Sequence, residues 1–185
     1  MPQVQRSEIL DYVTYDEQRA QIRASAMQAK DLRRVIVGTH LAFLFENHET
    51  VRYQVLEMVR AEKIVKEADI QHEIDTYNEF LPGKGRLGCS LLIGIQDPAE
   101  RAEKLSAWMG LLEGLYALKA DGTRVRPSWD ERQVGDTRLS SVQYLVFELG
   151  GDAPVAIGVD FGDFQDEVAL TDAQQAALAA DLAAA

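Results

Sequence analysis

The spacing of hydrophobic and polar residues divides the first half of the chain into helices and a strand. The first 32 residues have helical spacing. Residues 35–45 are apolar at successive positions and rich in β-branched and aromatic side chains, which predicts one strand covered on both faces. Apolar stripes then predict a pair of helices, about 48–63 and 67–81, with Asn47 as the N-cap of the first. The short connection predicts that this pair packs against a sheet.

The second half predicts mainly strands, over about 87–95, 112–119, 123–126, 142–149, 155–160 and 164–169. The glycines at 150–151 are expected to join the strands 142–149 and 155–160 as an antiparallel pair. Thr171 begins an Ala-rich C-terminal helix. The predicted fold is α+β, a single domain over 1–185. A mostly antiparallel β-sheet carries an N-terminal helix, a central helix pair and a C-terminal helix packed on it.

Charged residues are unevenly distributed along the chain. The chain has 185 residues, with 19 Lys and Arg against 30 Asp and Glu, and a net charge of −11. No basic residue follows Arg138, so the C-terminal part is strongly acidic. Nucleic-acid affinity depends on cations that neutralise phosphates, so no nucleic-acid partner is expected. A small basic cluster at Lys30, Arg33 and Arg34 could bind a small anion.

The chain also lacks targeting signals and familiar catalytic motifs. Its N-terminus has no apolar signal region, and its longest apolar run, Leu87–Ile95, is short for a membrane span. Cys89 is the single cysteine. No GxGxxG motif stands before a predicted helix, and neither GxxxxGK(S/T) nor the GxSxG nucleophile elbow occurs. No Glu-x-x-His pair is present. We therefore expect a cytoplasmic protein without a membrane partner, and we assign no cofactor and no metal ligand.

Eight polar residues near the predicted strand end and helix pair are the candidate binding residues: Glu46, Asn47, Gln54, Glu57, Arg60, Glu62, Glu73 and Asn78. Helical geometry predicts that Glu57 and Arg60 form a solvated i,i+3 pair. Glu62 falls within an apolar stripe, where a carboxylate needs a partner unless the helix end frays. Most of the eight side chains could converge where the strand ends. There they would either fix the helix pair as a polar cluster or line a binding site.

Several motifs resemble a bacterial family catalogued as domain of unknown function 3501. They are Arg33-Arg34-Val35, the stretch Phe45–Val51, Gln54-x-x-Glu57-Met58-x-Arg60-x-Glu62, the stretch His72–Glu79 with Pro82, and Ser141–Phe147. Members of this family are similar in being cytoplasmic, and their genes often lie beside rubrerythrin and iron–sulfur oxidoreductase genes. The resemblance therefore implies an accessory role in peroxide or redox metabolism.

The chain departs from that family pattern at two places. Gly94 stands where the family has an acidic residue, and Phe161-Gly162 stands where it has His-Pro. If those positions served a metal or an acid–base step, this chain would lack it.

Three functional hypotheses follow from the sequence. The leading one is an accessory or binding protein that works with a redox protein partner. The second is a carboxylate-rich metal or small-molecule site, with enzymatic activity, that uses Glu46, Glu57, Glu62, Glu73 and Asn78. It requires at least three of these side chains to meet in one concave site. The third is a structural homodimer module whose interface is the helix pair or a sheet edge.

Overall fold

The computed structural model describes residues 1–184, in which six α-helices accompany two antiparallel sheets of four strands each. The helices are α1 Tyr12–Asp31, α2 His48–Ala61, α3 Glu67–Asn78, α4 Pro98–Ala107, α5 Leu111–Gly114 and α6 Asp172–Ala183. The strands are β1 Arg34–Val37, β2 Leu41–Phe45, β3 Arg86–Ile93, β4 Leu115–Leu118, β5 Arg124–Val125, β6 Val142–Glu148, β7 Ala156–Phe161 and β8 Phe164–Ala169. The predicted α+β class is confirmed.

The strand predicted over 35–45 is in fact a hairpin. Val37 at the end of β1 pairs with Leu41 at the start of β2. Gly38 turns the chain with a φ of 61°, a left-handed conformation that costs glycine little. The apolar run is continuous because inward-facing side chains of both strands enter the same core.

The antiparallel pair predicted between 142–149 and 155–160 is wrong. The strands β6 and β7 lie in different sheets, which have the orders β1-β2-β3-β6 and β5-β4-β7-β8. Gly150 adopts a φ of 68°, and its N–H bonds to the carbonyl of Gly85, 2.8 Å away. The glycines therefore do form a turn, but the turn carries the chain from one sheet to the other. The single predicted sheet becomes two.

The N-terminal helix is shorter than its pattern predicts. It begins only at Tyr12, because Asp11 caps it by accepting hydrogen bonds from the N–H groups of Val13 and Thr14. Before it, residues 1–11 contain one short 3-10 turn, Arg6–Glu8. The predicted helix pair is present as α2 and α3, and α2 packs against both α1 and α3.

The sheet β1-β2-β3-β6 has a buried face and a partly exposed one. Phe43, Phe45, Leu91 and Phe147 are fully buried on the inner face. On the outer face, Ile36, Leu92 and Val142 fall in one cross-strand row and remain exposed. The helix pair covers only one end of this outer face. The candidate site lies at that end.

The outer edge of β6 is covered by a segment that is not itself a strand, residues 128–133. Ser128 and Val146 exchange two backbone hydrogen bonds of 2.8 Å. The side-chain amide of Gln133 bonds to both backbone groups of Tyr144, at 2.7 and 2.9 Å. A side chain thus takes the place of a neighbouring strand.

Within the described part of the chain, no helix combines the length and the apolar character that crossing a membrane requires.

Candidate functional site

A buried carboxylate stands at the junction of sheet and helices. Glu46 follows β2 directly, is only 8% exposed, and donates its N–H to the carbonyl of Gly88. One carboxylate oxygen accepts a hydrogen bond of 2.6 Å from the Thr50 hydroxyl, and the other accepts one of 2.8 Å from the Ser90 hydroxyl. Two hydroxyl donors from separate elements therefore fix the orientation of this charge.

The helix cap places the first of these donors. Asn47 is the N-cap of α2, as predicted, and its side chain accepts from the N–H of Thr50. In return, the Thr50 hydroxyl accepts from the N–H of Asn47 while it donates to Glu46. This is a capping box in which threonine takes the usual place of glutamate. The cap therefore both starts α2 and aims a hydroxyl at the carboxylate.

We expect Thr50→Val to lower the free energy of unfolding by about 1–2 kcal/mol. The substitution removes the reciprocal cap and leaves one oxygen of a buried carboxylate without its donor. Urea denaturation measures the change. Thr39→Val is the matched control, because Thr39 is exposed in the turn between β1 and β2. Equal midpoints for the two variants would contradict the structural role of the Thr50 hydroxyl.

Glu46 lines a cavity of 210 Å³. Its other lining residues come from α1, α2, α3 and the outer face of the first sheet: Lys30, Leu44, Val51, Gln54, Tyr77, Phe80, Ser90, Val142 and Tyr144. The wall contains a hydroxyl, an amide and two phenols as well as aliphatic and aromatic surface. Such a mixture of apolar walls with a few placed polar groups is typical of small-molecule sites.

Lys30 brings a positive charge to the same cavity from the last turn of α1. Its ammonium lies 5.1 Å from the ring centroid of Tyr53, a cation–π contact. Burial lowers the pKa of Lys30, and the negative charge of Glu46 partly opposes this effect. No ion pair joins Lys30 or Glu46 to any side chain among residues 1–184. The cavity thus holds two opposite charges that do not neutralise each other by contact.

Aromatic rings close one side of the cavity. The rings of Phe80 and Tyr144 are 4.4 Å apart, and Tyr77 lies 5.9 Å from Phe80. Burial raises the pKa of the Tyr77 hydroxyl, and the Gln54 amide beside it acts in the opposite direction. Phe80 can approach the sheet because it passes over Gly88, where a Cβ atom would lie 2.0 Å from the Phe80 carbonyl oxygen. The same aromatic side chains line a neighbouring groove of 580 Å³.

The structure does not bring all eight candidate residues together. Glu46 and Gln54 line the cavity, and Asn47 supports it through the cap. Glu73 and Glu62 both raise the pKa of Tyr77 at the cavity wall, but neither is among the lining residues. The remaining three lie elsewhere: Glu57, Arg60 and Asn78.

The predicted Glu57–Arg60 pair is wrong, because each residue pairs with α1 instead. Both oxygens of Glu57 bond to the guanidinium of Arg19, at 2.8 and 2.9 Å, and Glu57 also accepts from the Tyr15 hydroxyl. The Arg19 guanidinium lowers the pKa of the Glu57 carboxyl. Arg60 bonds to Asp16 at 2.6 Å. These pairs join α1 to α2 and belong to no cavity with Glu46.

Glu62 and Asn78 also have other roles. Helix α2 ends at Ala61, so Glu62 is its C-cap and is exposed rather than part of the apolar stripe. Asn78 is buried and exchanges two hydrogen bonds with the backbone of Val4, at 2.9 and 3.0 Å. It therefore fastens the N-terminal segment to α3. The second hypothesis requires at least three of its five side chains to meet in one concave site. Only Glu46 among them lines the cavity, so this requirement is not met.

The basic cluster is dispersed as well. Arg33 forms a buried ion pair with Asp181 in α6, at 2.6 Å, and Arg34 pairs with Asp31 at 3.3 Å. Lys30 alone lines the cavity. The sequence pattern indicates Lys30 only as part of this cluster, and it does not predict Ser90, Phe80 or the two cavity tyrosines as lining residues. Ser90 and Tyr144 come from strands that are distant from Glu46 in sequence. Tyr77 falls on the apolar stripe of the predicted helix, which indicates a core position.

Both departures from the family pattern lie around His40. Gly94 donates its N–H to the His40 carbonyl at 2.7 Å. Phe161 and Gly162 line a cavity of 510 Å³ together with His40 and Lys104, which bonds to the His40 ring at 2.8 Å. Among residues 1–184, no group of three or more His, Cys, Asp or Glu side chains is placed to hold a metal ion.

Fold and site together define an α+β protein with two antiparallel sheets and a small cavity that contains opposite charges. The chain belongs to the family of proteins of unknown function DUF3501, which it matches over residues 3–182. It is also similar to a novel protein of unknown function from Burkholderia pseudomallei K96243, whose crystal structure was determined at 1.90 Å. The two are 30% identical with a TM-score of 0.89, over 98% of this chain and 100% of the other. No curated protein matches the chain.

Proposed function

We propose that this protein is a binding protein for a small zwitterionic molecule, which it holds in the Glu46 cavity. The observation that carries the proposal is that Glu46 and Lys30 face one cavity without forming an ion pair with each other. A ligand with an ammonium and a carboxylate group would supply the missing partner to each. The carboxylate-rich metal site is not proposed again, because its residues are dispersed.

Glu46 has the capacity to bind a cationic group. An ionised carboxylate offers about four acceptor positions, and the hydroxyls of Thr50 and Ser90 use one on each oxygen. The two hydroxyls also hold the carboxylate in one orientation, so binding would cost little side-chain entropy. A donor group of a ligand can use the remaining positions.

Lys30 has the complementary capacity. Its ammonium can donate three hydrogen bonds, and its contact among the described residues is with the face of the Tyr53 ring. Its lowered pKa shows that burial disfavours the charge. An anionic group of a ligand would stabilise the charged ammonium, and the hydrogen bond so formed would be charge-assisted.

The size of the cavity limits the ligand. Its volume of 210 Å³ lies below the range of about 300–1,000 Å³ that is typical of sites for drug-sized ligands. The cavity therefore suits a molecule of about amino-acid size. The aliphatic and aromatic lining, with Val51 and Phe80, suits a short apolar portion between the two charged groups.

We expect Glu46→Gln and Lys30→Met each to weaken the binding of the preferred zwitterion about tenfold or more, since each removes one charged hydrogen bond. A panel of small amino acids and ω-amino acids is first screened by thermal shift. Calorimetry then compares the best ligand with analogues that carry only its ammonium or only its carboxylate. Glu103→Gln and Lys84→Met are the controls, because they remove the same charges from exposed positions away from the cavity.

Two results would contradict the proposal. One is that no zwitterion of the panel binds the wild-type protein. The other is that the four variants bind the best ligand equally well, because the affinity would then not depend on the cavity. Thermal melts of each variant without ligand show whether its fold is intact.

The accessory role beside a rubrerythrin-like or iron–sulfur partner is a further proposal, and only the family resemblance supports it. It is compatible with a binding protein that senses or delivers a metabolite of such a system. Co-purification of the protein from its own host tests it, and recovery of no redox protein would count against it. Whether two copies form a homodimer is tested by sedimentation at micromolar concentration.

A further inference from the structure

A second cleft lies between α4 and the loop 134–141. Its volume is 660 Å³, and its walls carry Arg101 on the helix side and Arg138 on the loop side. Three hydroxyl side chains line the same space, those of Thr137, Ser140 and Ser141. The polar side chains of this cleft can therefore all donate hydrogen bonds, and two of them are cationic.

The charge of this cleft is opposite to that of the whole protein. No acidic side chain is among its lining residues within 1–184, although the chain carries a net charge of −11. Arg138 is exposed and has neither a hydrogen bond nor an ion pair within the described residues. Arg101 is half-buried and uses one nitrogen to donate to the carbonyl of Ile95 at 3.1 Å. Most of the donors of both guanidinium groups remain available.

The loop wall is fixed to the rest of the protein. Leu139 is buried, and its N–H donates to the carbonyl of Leu105 in α4 at 3.0 Å. The carbonyl of Ser140 accepts a hydrogen bond of 2.9 Å from the side chain of Gln143, which is fully buried. The two residues that follow Arg138 are thus anchored to α4 and to β6, which fixes this part of the cleft wall.

We propose that this cleft binds the oxyanion group of a small molecule, a phosphate or a carboxylate, between Arg101 and Arg138. Guanidinium groups match such oxyanions because two parallel N–H donors can bond to two oxygens. The hydroxyls supply further donors. The acidic surface of the rest of the protein repels anions. An anion can therefore bind only where its attraction to local positive charge outweighs this repulsion.

The test is a titration of the 185-residue protein with inorganic phosphate and, separately, with succinate. Both are run at constant ionic strength adjusted with chloride and followed by calorimetry. We expect saturable binding of at least one of them, and binding at least about tenfold weaker in Arg138→Met. The preferred anion identifies the chemistry as phosphate or carboxylate. Arg132→Met is the control, because Arg132 is exposed on the adjoining segment and bonds to Asp130.

Equal loss of binding in both arginine variants would overturn the proposal, because the effect would then be one of net charge. Absence of saturable binding of either anion to the wild-type protein would overturn it as well. Arg138 is exposed, so its replacement is expected to leave the melting temperature in chloride unchanged. Glu46→Gln should bind the anion like the wild type, which separates this cleft from the zwitterion cavity.

Discussion

Asp181→Asn is expected to lower the free energy of unfolding by about 3–5 kcal/mol, since it leaves a buried guanidinium without its counter-charge. Asp181 and Arg33 are 7% and 8% exposed, and two hydrogen bonds of 2.6 and 3.0 Å join them. Arg33 also donates to the carbonyl of Ala29. For a chain of this length the loss corresponds to a fall of about 6–20 °C in melting temperature. Thermal and urea denaturation measure it.

Asp163→Asn serves as the control, because Asp163 is exposed in the turn between β7 and β8. The double variant Arg33→Met, Asp181→Leu removes both charges. Its loss in free energy of unfolding should be smaller than the sum of the losses of the two single variants, because neither charge is left buried without its partner. A change below about 1 kcal/mol for Asp181→Asn would show that the pair does not hold α6 to the first sheet.

Gly88→Ala is expected to destabilise the protein by about 1–3 kcal/mol or more and to weaken ligand binding. The added methyl group would lie 2.0 Å from the Phe80 carbonyl oxygen and 2.8 Å from its carbonyl carbon. These are backbone atoms, so the segment after α3 must move away from β3. The aromatic wall of the Glu46 cavity moves with it.

Gly151→Ala is the matched control, because a Cβ atom at Gly151 would meet nothing within 4 Å. Urea denaturation gives the stability of both variants, and calorimetry with the ligand found in the amino-acid panel gives the affinity. A Gly88→Ala protein with wild-type stability would mean that the segment after α3 is not fixed in this position. Wild-type affinity in a destabilised protein would place the ligand away from the aromatic wall.

Local signals allowed the helices to be predicted. Asn47 and Thr171 cap α2 and α6 as expected, because a capping side chain acts on the backbone two or three residues ahead. The same local reasoning failed for Glu62. The helical stripe of α2 continues through residue 62 in the sequence, but the helix ends at Ala61 and the next residue turns outward.

The two sheets could not be predicted, because strand pairing is not local. Gly150 and Gly151 signal a turn, and nothing in the neighbouring sequence shows whether the next strand pairs with the previous one. The strand β6 pairs with β3, fifty or more positions earlier, and only this pairing brings Tyr144 opposite Ser90. The cavity depends on it. The sequence therefore predicts Glu46 and Gln54 as binding residues but does not predict the residues that complete the wall of the Glu46 cavity.

The segment 128–133 has a consequence for solubility and self-association. An uncovered edge strand presents unpaired N–H and C=O groups that attract other strands and promote aggregation. On β6 this edge is closed by the backbone of Ser128 and by the amide of Gln133. A second copy of the chain could extend the first sheet at β6 only by displacing both. A homodimer built by pairing this edge strand with its copy would therefore have to break both Ser128 backbone bonds and both bonds of the Gln133 amide before it gained any.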